Sequence, residues 1–185
     1  MDENVGRVFN DNLADTVISK KQDDIVINGR LQDTVINDNH ESTIDRGNNQ
    51  ICIGCHKLIA SLIGGSGNAD DQLYFAIGKS NAETSQIDDK LHEFLFKHRI
   101  NTENGDKIEV GGTGENILTI TANFSSIPSN DDVDEDGNKV SEEVYNNTWC
   151  ECGIYKGDTL LNRKVHEAIT KTSSIEVVRT FRFTF

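Results

Sequence analysis

Residues 116–124 (NILTITANF) alternate between apolar and polar positions, with Leu118, Ile120, Ala122 and Phe124 on one face. A period of two is the signature of a β-strand with one buried side. Residues 174–185 repeat it through Ile175, Val177, Phe181, Phe183 and Phe185, interrupted only by Arg179. Residues 148–155 and 160–165 read as two more strands. Upstream, the apolar run LYFAIG (73–78) lies between Asp71 and Lys79 and predicts another. The stretch SQIDDKLHEFLFKHRI begins as a helical turn at Asp88. It ends as a strand in which Phe94, Phe96, His98 and Ile100 alternate. The pattern is that of a full helix over residues 50–62, where Ile51, Leu58, Ile59 and Leu62 share a face and Gly64-Gly65-Ser66-Gly67 stops the helix. Closely spaced strands with a single helix predict an α+β fold, mostly β: an antiparallel, sandwich-like body with one N-terminal helix against it.

The first fifty residues follow another rule. Asp15-Thr-Val-Ile18, Asp24-Ile-Val-Ile27, Asp33-Thr-Val-Ile36 and the weaker Ser42-Thr-Ile44 start nine residues apart. Each is a short β-branched unit, closed in places by a polar turn such as Asn28-Gly29 or Asn37-Asp38. Such triplets favour extended backbone but are too sparse to bury a core of their own. Residues 1–48 are therefore expected to form an extended arm, and residues 49–185 the body, with an insertion loop at about 129–147. The arm would lay Val17, Ile18, Val26, Ile27, Val35 and Ile36 on a neighbouring subunit or partner as short added strands.

The chain of 185 residues is 35% apolar and only 6% aromatic, a lean composition for one core with an appended arm. Its net charge of −13 argues against binding nucleic-acid backbones, which requires clustered Lys and Arg. No segment is long and apolar enough to span a bilayer, so no membrane partner is expected. The acidic, polar start MDENVGRVFNDNLADT does not read as a secretory signal. A cytoplasm-like site of synthesis follows, with the four cysteines reduced.

Three motifs carry candidate chemistry. Cys52-x-x-Cys55-His56 has the spacing of a c-type haem attachment site, but that chemistry normally follows export and suits neither the leader nor the strand-rich body. With Cys150 and Cys152 it supplies four thiols for a tetrahedral zinc site; the second pair is C-x-C rather than C-x-x-C, and small buried hydrophobes are the stronger reading. Asp132-x-Asp134-x-Asp136-Gly137, followed by Glu143, matches the twelve-residue calcium loop, with Asn138 offering its carbonyl. Lys139 at an ordinarily apolar place, and the lack of a preceding helix, count against it. A solvated hairpin turn needs the same Asp and Gly residues.

Other signals dissolve on inspection. Gly78-Lys79-Ser80 lacks the first glycine of a P-loop, Leu73 standing there, and Gly111-Gly112-Thr113-Gly114 reads as a turn. His92 and His98 flank an apolar run without a nucleophile and read as structural. No Ser/His/Asp or Cys/His constellation is present, so an enzyme is not expected.

The order of motifs from residue 49 onward resembles a family of small bacteriophage tail proteins, found as tail-fibre, tail-collar and baseplate-associated modules. The resemblance is carried by a short helix ending in glycines, YFAIG, DDKLHEFLFKHRI, ILTITANF, Glu151-Cys-Gly-Ile-Tyr155, LLNRKV, ITKTSSIEV and the terminal TFRFTF. It implies a non-enzymatic structural component of a virion, made in the host cytoplasm. Such a module assembles as a homo-oligomer or ring with tail, portal, collar or fibre subunits. The alternative is a calcium-dependent carbohydrate- or receptor-binding module of a tail.

Overall fold

The structure, a computed structural model, describes residues 27–38, 40–64, 72–111 and 116–185. Ten strands form in chain order: β1 (Asn28–Asn37), β2 (His40–Ile51), β3 (Leu73–Gly78), β4 (Phe94–Arg99), β5 (Lys107–Val110), β6 (Ile117–Phe124), β7 (Asp132–Val133), β8 (Thr148–Lys156), β9 (Thr159–Thr170) and β10 (Ile175–Thr184). Two helices accompany them, α1 (Ile53–Ile63) and the single turn α2 (Glu142–Tyr145). The fold is α+β, mostly β, as the periodicity predicts. Every pairing between these strands is antiparallel, in the order β5-β6-β10-β1-β2-β9-β8-β3-β4-β7.

The sheet curls upon itself through β2. That strand pairs with β1 from Gly29↔Asn49 to Asn37↔His40, then passes to β9 through Gln50 and Ile51. Arg46 is the extra residue of a bulge, followed by Gly47 at φ 73°, a conformation glycine adopts without steric cost. The two halves of the sheet then meet face to face. Phe75 of β3 stacks on Phe181 of β10 at 5.1 Å and meets Phe124 of β6 edge-on at 5.7 Å. Phe96, Phe124, Tyr145 and Trp149 extend this aromatic centre. The few aromatics are thus concentrated where the two layers touch, which is how a lean composition fills a core.

Two sequence-based boundaries need correction. The break placed after residue 48 falls inside β2, and residues 28–48 are not an arm but central strands. Leu31 and Asp33 have no solvent exposure, and β1 lies between β10 and β2. Of the residues expected to dock on partners, Ile27 is buried in the core, and Val35 and Ile36 are half-buried opposite Val177 and Glu176. Val17, Ile18 and Val26 lie outside the described residues. Short β-branched triplets look alike in an arm and in a sheet; a buried cation on β10, described below, places this one inside.

The second correction concerns residues 129–147, expected as an insertion loop. They belong to the body. Tyr145 is fully buried, Val133 and Val140 nearly so, and Ser141 caps α2 by accepting from the Val144 N–H. Trp149 donates its indole N–H to the Tyr145 carbonyl at 3.1 Å.

Candidate functional site

The acidic segment and His98 form one ensemble. β7 pairs with β4 so that Asp132 lies opposite His98. The Asp132 carboxylate receives His98 Nδ1 at 2.8 Å and the Ser129 N–H and hydroxyl at 2.6 and 2.9 Å. On the other side of the ring, His98 Nε2 meets Asp106 at 2.9 Å, and Asp106 also accepts the N–H groups of Asn101 and Asn123. All three side chains are buried. Burial by itself would lower the histidine pKa, but hydrogen bonds to Asp106 and Asp132 outweigh it and raise the value to about 9. Burial pulls Asp106 upward, yet the bond from His98 and the two backbone donors hold it below the usual carboxylate range. The site is an imidazolium held between two carboxylates, tying β4, β6 and β7 together.

A cleft of about 470 Å³ opens beside it, lined in part by Asn104, Asp106, Asn123, Asp131 and Glu176. Its two buried carboxylates are already engaged: Asp106 as above, and Asp131 by the side-chain amides of Asn101 and Asn104. The hydrogen bonds of Asp106, Asp131 and His98 bind the segments around the cleft to one another.

The calcium-loop residues are not brought together. Asp132 turns toward His98, while Asp134 closes its own turn by accepting the N–H groups of Asp136 at 3.0 Å and Asn138 at 2.8 Å. Gly137 adopts φ 83° in that turn, and Glu143 lies exposed in the first turn of α2. Asp136 and Asn138 are exposed. Among the described residues no group of three or more His, Cys, Asp or Glu side chains could hold a metal ion. In this arrangement the donor set does not fit calcium. The sequence pattern matches because a tight Asp/Gly turn uses the same residues.

The four thiols are free. Cys52 is buried beside Ala76, Leu91 and Leu160, whereas Cys55 and Cys152 lie in the main core and Cys150 is half-exposed. Burial pushes Cys52 and Cys152 up to about 12 and Cys55 to about 11, so without a metal these thiols stay protonated and unreactive. They pack as small apolar side chains, and His56 is exposed on α1.

Two buried arginine clasps were missed by reading the sequence for catalytic motifs. Arg163 of β9 donates to Glu151 of β8 at 2.8 Å, to Asp88 at 3.1 Å, and to the carbonyls of Glu83 and Ala82. Glu151 also accepts the Glu93 N–H at 2.8 Å, so the pair nails the 82–93 segment onto the sheet. Next to it, a Cβ on Gly153 would stand 2.5 Å from the Asn162 carbonyl oxygen. Glu151, Gly153, Asn162 and Arg163 are the distinctive letters of ECGIY and LLNRKV, and their role is structural.

The second clasp is Arg179 of β10. Its Nε lies 3.0 Å from Asp33 Oδ1 and its Nη2 3.2 Å from Oδ2, and Arg46 approaches the same carboxylate at 3.0 Å. Arg179 Nη2 also donates to His166 Nε2 at 2.9 Å, and His166 Nδ1 donates to the Glu167 carbonyl. Burial and the nearby guanidinium drive the His166 pKa far down, leaving a neutral ring that accepts from the arginine. The signal in the sequence was the single Arg interrupting the apolar stripe of residues 175–185.

The surface offers a different kind of feature. Among the described residues β5 is one edge of the sheet, exposed along its whole length, with Ile108 45% and Val110 83% exposed. Ile108 sits opposite Ile120 and Val110 opposite Leu118, so both extend the core-facing side of β6 beyond its cover. Comparison with family models, characterised proteins and solved structures finds no match for this chain.

Proposed function

We infer that the protein is a non-enzymatic structural subunit of a bacteriophage particle. It would serve as a tail, collar or tail-fibre-adapter component that joins other virion proteins in a homo-oligomer or ring. The observation that carries this reading is β5, an open edge strand with two exposed apolar residues on the core-facing side. Such an edge, with Ile108 and Val110 exposed and alternating with the charged Lys107 and Glu109, offers unpaired backbone groups for pairing with another chain. The order of motifs supports it: Glu151, Gly153, Asn162 and Arg163, its distinctive letters, serve the sheet itself. Synthesis in the host cytoplasm and residence in the virion follow from the same reading. Val17, Ile18 and Val26 remain the partner-binding residues of this reading.

The test is an Ile108→Lys/Val110→Lys variant. Both positions are exposed, so thermal unfolding should move little, while sedimentation should show loss of self-association and particles should lack the protein. Unchanged incorporation into particles would remove the edge as the assembly surface.

A further inference from the structure

Residues 10–19 repeat the sequence of β1. Aligned without gaps, Asn10, Leu13, Asp15, Thr16, Val17 and Ile18 match Asn28, Leu31, Asp33, Thr34, Val35 and Ile36, six identities in ten positions. The structure supplies the meaning of those positions. β1 buries Leu31 and Asp33 completely, the one in the core and the other against Arg179 and Arg46, and it sets Val35 opposite Val177. Both fully buried side chains recur in residues 10–19 at the same spacing. The middle unit, residues 19–28, keeps Asp24, Val26 and Ile27 but has Gln22 where the core leucine belongs.

We propose that the slot between β10 and β2 is a binding site for either of two segments of this chain, residues 28–37 or residues 10–19. In the second state Asp15 faces Arg179 and Arg46, Leu13 fills the place of Leu31, and Val17 lies opposite Val177. The exchange needs no partner and so stands apart from the assembly reading above.

Three differences make residues 28–37 the major occupant. They reach β2 through residues 38 and 39 alone, whereas residues 10–19 would leave residues 20–39 as the connection. That longer connection makes closure less favourable. Asp11 replaces Gly29, where an added Cβ meets the Asn49 side chain, so the Asn49 amide has to turn aside; that amide has no hydrogen-bond partner to lose. Asn12 replaces Arg30, forfeiting the surface pair with Asp45. The tether still keeps residues 10–19 at a high effective concentration near the slot, far above that of any second chain. Exchange would release residues 20–37 to pair with another sheet edge without emptying the core.

Two measurements on the full-length protein decide it. Leu31→Ala/Asp33→Ala weakens the usual occupant; it should retain cooperative urea unfolding, and adding Asp15→Ala should abolish it, although Asp15→Ala alone leaves the midpoint unchanged. Equal unfolding of the double and triple variants overturns the proposal. Independently, Val17→Cys/Val177→Cys with β1 otherwise intact should accumulate a 17–177 disulfide within monomers during slow oxidation, read by peptide mass spectrometry. Ile18→Cys/Val177→Cys, displaced by one residue to the opposite face, should not. No 17–177 link, equal linking in the displaced pair, or linking only between chains overturns the intrachain exchange.

Discussion

Arg179 of β10 and Asp33 of β1 stand directly opposite each other in the sheet, Nε 3.0 Å from Oδ1, with neither side chain exposed to solvent. Two charges in a core are costly unless each is neutralised, and Arg179 Nη1 has no hydrogen-bond partner at all. The pair specifies which strand lies beside β10 more than it adds stability. Removing one partner is therefore more damaging than removing both. Arg179→Ala should cost about 3–5 kcal/mol in urea unfolding, whereas Arg179→Met/Asp33→Leu, which leaves only Arg46 without its carboxylate, should cost less. A double variant no better than the single one would deny the pair this role.

The His98 clasp sets a pH window. Its pKa of about 9 in the folded protein exceeds the ordinary 6.5, so its contribution is fully present below about 6.5 and fades as pH rises through about 9. The difference corresponds to about 3 kcal/mol, as an order of magnitude. Denaturation midpoints measured between neutral and alkaline pH should fall along this window, and His98→Gln should flatten that slope. An identical slope in the variant would assign the alkaline loss to other groups.

Removing residues 1–48 should abolish the fold. The deletion takes away β1 and most of β2, including Leu31 and Asp33, and leaves Arg179 facing an empty neighbour. Circular dichroism should show loss of cooperative strand melting. A well-folded domain from residue 49 onward would show that the central pair of strands is dispensable.

Gly153→Ala should be poorly tolerated. The new methyl would press on the Asn162 carbonyl, which belongs to a strand backbone that cannot rotate aside. Overpacking of this kind costs about 1–3 kcal/mol. The shift in urea midpoint should exceed that of Gly137→Asn, where nothing lies within 4 Å and asparagine tolerates the positive φ.

Calcium should leave the Asp134–Asn138 turn unchanged. Thermal unfolding with millimolar calcium and with chelator should coincide, because Asp132 is held by His98 and Ser129 and Asp134 by its own backbone donors. Asp134→Ala should instead cost about 1 kcal/mol through the lost turn bonds. A calcium-dependent rise in the midpoint would mean that the loop rearranges to chelate.

By itself the sequence determined six of the strands, β3, β4, β6, β8, β9 and β10, and their inward faces. Leu118, Ile120, Ala122 and Phe124 alternate, as do Val177, Phe181 and Phe183, because a pleated strand presents every second residue to one side. The helix over residues 53–63 was equally legible from its period and its glycine stop. The tertiary structure alone decided what the polar residues inside that pattern do. Arg179, Asp33, Glu151, Arg163, His98, Asp106 and Asp132 each look like an interruption or a motif until a partner far away in the chain is brought opposite. Asp33 and Arg179 are 146 residues apart in sequence, and no local period records that distance. The physical reason is that hydrophobic alternation is written within a strand, whereas charge neutralisation in a core is settled only between strands.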